Sequence, residues 1–225
     1  MKSWFNFLSK RKDGGKQPTV TSTKKRPSAP GPLGRLGEIL SRIEQAEVAT
    51  VLPDLNQQVV LEVAPHLPSL NTLIKERGVS LFAGLGTLEG YTIKGRWDSL
   101  PILSSSCDFV LCRASAVKKD LTRLIQESSR VLKGSGKALL VDLHPFSLIV
   151  QGEHQISPAT EDGLPPGFER YFKMIQRSHL KIGLLKEVFV DSSLKKFFGD
   201  QDLKEFERLR KWPLMVLMLL EKESV

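Results

Sequence analysis

Cysteine is nearly absent: Cys107 and Cys112 are the two in the chain. Five positions apart in what reads as one strand, they should fall on opposite faces, which excludes a shared metal ion or a mutual disulfide. A disulfide scaffold is excluded with them, and a reducing, cytoplasmic setting is expected. Long apolar runs are missing too; none approaches the ~18 residues of a membrane-spanning helix. The opening MKSWFNFLSKRK has a broken apolar patch and no small-residue cleavage site, so a signal peptide is not expected. The chain carries no G-x-S-x-G, no H-E-x-x-H and no phosphate loop ending in Gly-Lys-Ser/Thr. His154 and His179 lack the neighbours that would define a metal site, so no metal is expected.

Acidic residues are scarce in one region only. Residues 1–32 hold eight Lys or Arg and a single acid, Asp13, for a charge of +7; the other 25 basic and 24 acidic residues leave the remainder at +1. An enzyme working on nucleic acid would be expected to spread basic charge over its folded body, so nucleic acid is not an expected partner. Residues 10–34 are rich in Gly, Pro, Ser, Thr and Lys, with almost nothing to bury. They are expected to be a disordered linker, giving a basic tail over 1–34 and one domain over 35–225. Trp4, Phe5, Phe7 and Leu8 beside basic residues suggest a weak membrane-surface or protein contact through the tail, against the plainer reading of a solvated end.

Beyond the tail, 40% hydrophobic content is enough for a core. Leu36, Ile39, Leu40, Ile43, Ala46 and Val51 follow a mostly helical spacing that Pro53 ends. Then come VVLEV (59–63), a helix around 69–77 closed by Gly78, VSLFAG (79–84), an alternating YTIKGRW (91–97), CDFVLCRA (107–114), an amphipathic helix over 120–133 stopped by Gly134, and KALLVDL (137–143). Short buried strands alternating with helices mark a parallel sheet with crossovers. After a helix at 168–178, two strands (180–191 and 213–222) with mostly helical residues between them lack a crossover pattern, so an antiparallel pair at one sheet edge is expected. The whole reads as an α/β three-layer sandwich, its sheet mostly parallel and twisted with an antiparallel final strand.

Three stretches together resemble class I S-adenosylmethionine-dependent methyltransferases, of the small type 11 group. VVLEV and its following turn resemble the family's first strand and ligand loop. GRWDSLPI followed by SSSCDFVLCRAS is similar to an LP-containing loop before a D-x-V strand. LTRLIQESSRVLKGSGKALLVDL is similar to its helix, R-V-L-K-P-G-G turn and fifth strand, with Gly134-Ser135 in place of Pro-Gly. The resemblance covers about residues 55–145 and implies a Rossmann-like fold, S-adenosylmethionine as cofactor and a small-molecule or lipid-like methyl acceptor.

The cofactor positions depart from that pattern. The family's G-x-G-x-G glycines fall on Ala64, His66 and Pro68, where a β-carbon would meet the cofactor. Pro65 and Pro68 also lack the N–H donors that such loops offer. The acid that ends the family's second strand is replaced by Ala83-Gly84-Leu85-Gly86, and the next acid is Glu89; the Asp expected near the adenine is replaced by Arg96, with Asp98 two residues on. By position, the cofactor candidates are Glu62, Ala64, His66, Glu89 and Asp98. A glycine loop can also be read in AGLGTLEG (83–90), but a cofactor loop opens a helix and this one precedes an alternating segment. His144, at the end of KALLVDL, and Asp142 on the same face are the catalytic candidates, with His144 as a general base; a strand-end His beside Pro145 is the plainer reading.

Three functions stand open at this point. The chain is a methyltransferase-like protein with a degenerate or weakened cofactor site, an active methyltransferase with an altered loop, or a non-enzymatic interaction module on the same fold. A cytoplasmic location is expected in each, with a peripheral position at a membrane surface added if the tail binds there.

Overall fold

In the computed structural model, residues 34–64, 69–86, 92–114, 121–144, 168–210 and 212–223 are described. The tail apart from Gly34, and His66, Pro68, Glu89 and His154, lie outside them. The elements run α1 (Gly34–Val51), β1 (Val59–Val63), α2 (Asn71–Lys75), β2 (Leu81–Leu85), β3 (Cys107–Arg113), α3 (Leu121–Val131), β4 (Leu132–Leu143), α4 (Phe168–Gln176), β5 (Leu180–Phe189), two 3-10 turns (Ser192–Phe197 and Asp200–Asp202), α5 (Leu203–Leu209) and β6 (Pro213–Lys222). The strands form one sheet in the order β2-β1-β3-β4-β6-β5. β1 pairs parallel with β2 and β3, and β3 with β4, while β6 runs antiparallel to both β4 and β5.

The unbroken apolar runs of the central strands follow from burial on both faces. Leu61, Val63, Val110, Cys112, Leu140, Val216 and Met218 point to a core shared with Leu124 and Ile125 of α3 and with Tyr171, Met174 and Ile175 of α4. Their neighbours Val60, Phe109, Leu111, Leu139, Val141 and Leu217 pack on Ile39, Leu40, Ile43 and Val48 of α1 and on Phe198, Phe206 and Leu209. Alternate residues therefore feed two cores, and neither face of β1, β3 or β4 is left to solvent.

Several local expectations change. β4 begins at Leu132, directly after α3, because Leu132 pairs with Cys107 before the ladder resumes at Phe109–Lys137. Lys133–Gly136 bulge opposite Asp108, whose carboxylate accepts from Lys133 Nζ at 2.7 Å and from the Val59 N–H at 2.9 Å. The same irregularity carries Cys107 round to the face that holds Cys112, so the opposite-face expectation for the two thiols fails. Over residues 92–97, the described part of YTIKGRW, no strand forms. The Thr92 and Ile93 N–H groups both donate to the Gly84 carbonyl, and single bridges join Ile93 to Leu85 and Arg96 to Ser99. α2 is shorter than its pattern, and Gly78 at φ +72° turns the chain back toward Asn56, where a β-carbon would stand 2.8 Å from Oδ1. His179 at φ +54° supplies the left-handed turn from α4 into β5, which is a structural task.

The glycines of the KGSG bulge differ in kind. A β-carbon on Gly136 would meet Leu132 Cδ2 at 2.9 Å and the Asp108 and Lys133 carbonyl oxygens at 3.1 Å, whereas one on Gly134 meets nothing within 4 Å. Gly136→Ala is expected to lower stability by about 2 kcal/mol through overpacking. Gly134→Ala should stay within about 0.5 kcal/mol of wild type. Urea denaturation of the two variants checks the difference.

The LP-containing loop and the R-V-L-K turn, far apart in sequence, are one unit in the fold. Arg130 donates to the carbonyls of Leu100 and Ile102 at 3.0 and 2.9 Å, and Glu127 accepts from the Leu100 N–H at 2.8 Å. Lys222 closes the far end of α3 by donating to the Ser129 and Leu132 carbonyls at 2.8 and 2.7 Å, a favourable cation at a helix C-terminus.

Candidate functional site

Strand order reverses at β1: β2 lies on one side and the chain returns to place β3 on the other. In open α/β sheets that switch point opens a crevice at the carboxyl ends of the strands, where ligands bind. The residues here are Glu62 of β1, Leu85 of β2, Arg113 of β3 and Asp142 of β4, with Ala64, Gly86, Ala114 and His144 directly after those strands.

The described residues at the ends of β1 and β3 form an internal ion network. Arg113, fully buried, forks onto Glu44 of α1, donating from Nε and Nη2 to the two carboxylate oxygens at 2.7 Å each, and its Nη1 lies 3.4 Å from Glu62 Oε1. Glu62, itself fully buried, also accepts from Ser69 Oγ at 2.6 Å and from the Leu70 N–H at 3.0 Å. Burial raises the Glu62 pKa, and its partners Ser69, Leu70 and Arg113 each oppose the rise. The guanidinium attracts both carboxylates, and its bidentate fork fixes the geometry of Glu44. Glu62 thus faces its own chain on every side that the described residues define.

Of the other cofactor candidates, the two within the described residues, Ala64 and Asp98, are engaged as well. Ala64 is buried, and its N–H donates to the Leu85 carbonyl at 3.1 Å. The described end of β2 brings no acid to the crevice; Gly84 pairs with Thr92 instead, donating to its Oγ1 at 3.1 Å. Asp98 accepts two hydrogen bonds from Arg96, which hold its carboxyl below the usual range.

Asp142 and His144 lie on the opposite face, toward α4. Tyr171 Oη donates to Asp142 Oδ2 at 2.5 Å and the Leu143 N–H to Oδ1 at 2.8 Å, yet burial pushes the Asp142 pKa up to about 6. His144 is buried, its Nε2 is 2.9 Å from Glu187 Oε1, and its ring meets the Phe168 ring edge-on at 5.2 Å. Burial depresses the His144 pKa against the pull of Glu187. The two candidates are therefore neighbours on one face with different partners, and no hydrogen bond joins them among the described residues. Both thiols are buried, and burial raises their pKa values, that of Cys112 to about 12. Among the described residues no cluster of His, Cys, Asp or Glu could hold a metal ion.

Asp142 gives a pH test. Its folded value near 6 exceeds the unfolded value of about 3.9, so the folded state keeps a proton that the unfolded state releases between the two. Stability from this group is full below about pH 4 and is lost as pH rises through about 6. The stability difference between wild type and Asp142→Asn should shift by on the order of 3 kcal/mol from pH 4 to pH 8, in favour of the variant at high pH. Denaturant titrations across that range measure it, and a pH-independent difference would contradict the assignment.

Arg113, Glu44, Ser69, Tyr171 and Glu187 were not among the sequence candidates. Two of them left a trace: Arg113 is a charge closing the apolar run CDFVLCR, and Glu44 lies within the apolar stripe of α1, between Ile43 and Val48. Glu187 and Tyr171 sit on ordinary amphipathic segments and left none.

No protein-family model and no curated protein matches the chain. Solved structures do. An S-adenosylmethionine-dependent methyltransferase from Mesorhizobium loti superposes with a TM-score of 0.60 at 16% identity, over 79% of this chain and 96% of its own. A Listeria monocytogenes protein assigned to the same activity gives 0.63 at 14% identity, over 81% and 99%. Geranyl diphosphate C-methyltransferase from Streptomyces coelicolor, solved with S-adenosyl-L-homocysteine, gives 0.58 at 12% identity, over 80% and 76%. Together with the mostly parallel sheet and its reversed β6, these likenesses establish that the chain has the class I methyltransferase-like, Rossmann-like fold.

Proposed function

We propose that the chain is a methyltransferase-fold protein in which internal packing has taken over the cofactor cradle, so that S-adenosylmethionine binds weakly or not at all. One observation carries this reading: Glu62, the acid nearest the switch point, is fully buried and already engaged by Ser69, the Leu70 N–H and Arg113. Three departures agree with it. Ala64 stands where the family pattern has glycine, β2 ends without an acid, and Asp98 is paired with Arg96. The described residues do not fit the cofactor. Equilibrium titration with S-adenosylmethionine tests the reading, which expects no saturation at micromolar concentrations.

The rival, an active transferase with a rebuilt site, draws support from the polar pairs Asp142–Tyr171 and His144–Glu187 on the opposite face. It expects tight cofactor binding and methyl transfer to a small or lipid-like acceptor that falls on His144→Ala. The degenerate-site reading is preferred because Glu62, the acid at the switch point among the described residues, is buried and already bonded within the chain.

A further inference from the structure

On the face covered by α1, a groove is lined by Glu38, Ile39, Arg42, Lys196, Phe197, Phe198, Gly199 and Asp202. Two cations bracket the Phe197 ring, with Arg42 Cζ and Lys196 Nζ each 5.3 Å from its centroid. Beside it Lys195 Nζ and Arg210 Cζ each lie 5.9 Å from the Phe206 ring. Arg42, Lys195, Lys196 and Arg210 are exposed while Phe206 is buried and Phe197 half-buried. Arg210 is answered by Glu207 at 3.0 Å. Of the two acids in the lining, Asp202 is buried and accepts from the Gly199 N–H at 3.1 Å, which leaves Glu38 as the exposed one.

Position adds to chemistry. Glu38 and Arg42 stand one and two turns into α1, whose first residue, Gly34, joins it to the +7 segment 1–32 with its Trp4, Phe5, Phe7 and Leu8. The basic aromatic groove of the folded body thus lies where the basic aromatic segment enters it. A single short anchor holds a membrane only marginally, and stable attachment takes two signals acting together.

We propose that the Arg42–Lys195–Lys196 face around Phe197 is a docking surface for an anionic lipid bilayer, acting together with residues 1–32. Phosphate and carboxylate headgroups would answer Arg42, Lys195 and Lys196, which form no ion pair among the described residues, and the half-buried ring supplies an amphipathic contact at headgroup depth. The inference is independent of the cofactor reading.

Sedimentation of the full chain with phosphatidylcholine vesicles, with and without phosphatidylserine, tests it. Each basic residue at such a surface is worth roughly fivefold in partitioning, so Arg42→Gln/Lys195→Gln/Lys196→Gln should lose about a hundredfold. Glu38→Gln should bind severalfold more tightly, and wild-type binding should fall as salt rises. Melting curves close to wild type establish that these exposed substitutions leave the fold intact. The proposal is overturned if wild type ignores phosphatidylserine, or if the triple variant keeps wild-type affinity, which would assign binding to residues 1–32 alone. It is overturned equally if the groove substitutions weaken binding to a single-stranded oligonucleotide while leaving vesicle binding unchanged.

Discussion

Arg113→Met should cost about 4 kcal/mol of folding stability, because removing one member of a buried ion network leaves uncompensated charge behind. Glu44 and Glu62 both reach the Arg113 guanidinium, and all three side chains are at most 7% exposed. Without the arginine, two carboxylates share one low-dielectric space and at least one must take up a proton to remain folded. The loss should therefore be smaller at pH 5 than at pH 8. Arg113→Met/Glu44→Gln/Glu62→Gln removes the charges together and should recover much of the stability, since a neutral replacement of a buried network is often close to neutral in energy. Urea unfolding at the two pH values measures both effects. A single-variant loss below about 1 kcal/mol would mean that the network contributes far less than its geometry implies.

The same network explains which parts of this molecule could be read from its sequence. Hydrophobic period is a local property, and it placed β1, β3, the core of β4, and β5 with β6 at or near their observed bounds. The reversed β6 was legible because PLMVLMLLEK follows β5 with no single crossover helix between them. YTIKGRW misled because alternation describes a segment that could pair, and its pairing was decided by the Gly84 carbonyl and the close approach of Gly95 to Pro101. The cysteines misled because the ladder between β3 and β4 is irregular between Cys107 and Phe109, a feature that involves the partner strand and is invisible in the cysteine spacing. In the site, the missing glycines and the missing acid of β2 were visible as letters. The ion network was not. It joins positions 51 and 69 residues apart, and its only local traces are a charge closing an apolar strand and an acid in an apolar helix stripe.

The second large effect concerns the cofactor. Losing one charge-assisted hydrogen bond costs roughly 1.5–3 kcal/mol, and on the proposed reading β2 ends without the ribose-binding acid while prolines replace donors in the loop after β1. A combined loss on the order of 4 kcal/mol corresponds to about a thousandfold in affinity, enough to move a micromolar site to around millimolar. Repair by Ala64→Gly, His66→Gly and Pro68→Gly with Leu85→Asp is expected to fall short of a micromolar site. Ala64 and Leu85 are both buried, and their backbones are already hydrogen-bonded to each other, so opening this gap also disturbs the core.

Isothermal titration of the full wild-type chain with S-adenosylmethionine, and in parallel with S-adenosyl-L-homocysteine, tests the degenerate-site account most directly. The account predicts no saturable heat for either compound up to several hundred micromolar, two orders of magnitude above a micromolar site. A dissociation constant in the low micromolar range for either would contradict it, and would make the chain a cofactor-binding protein with a rebuilt site.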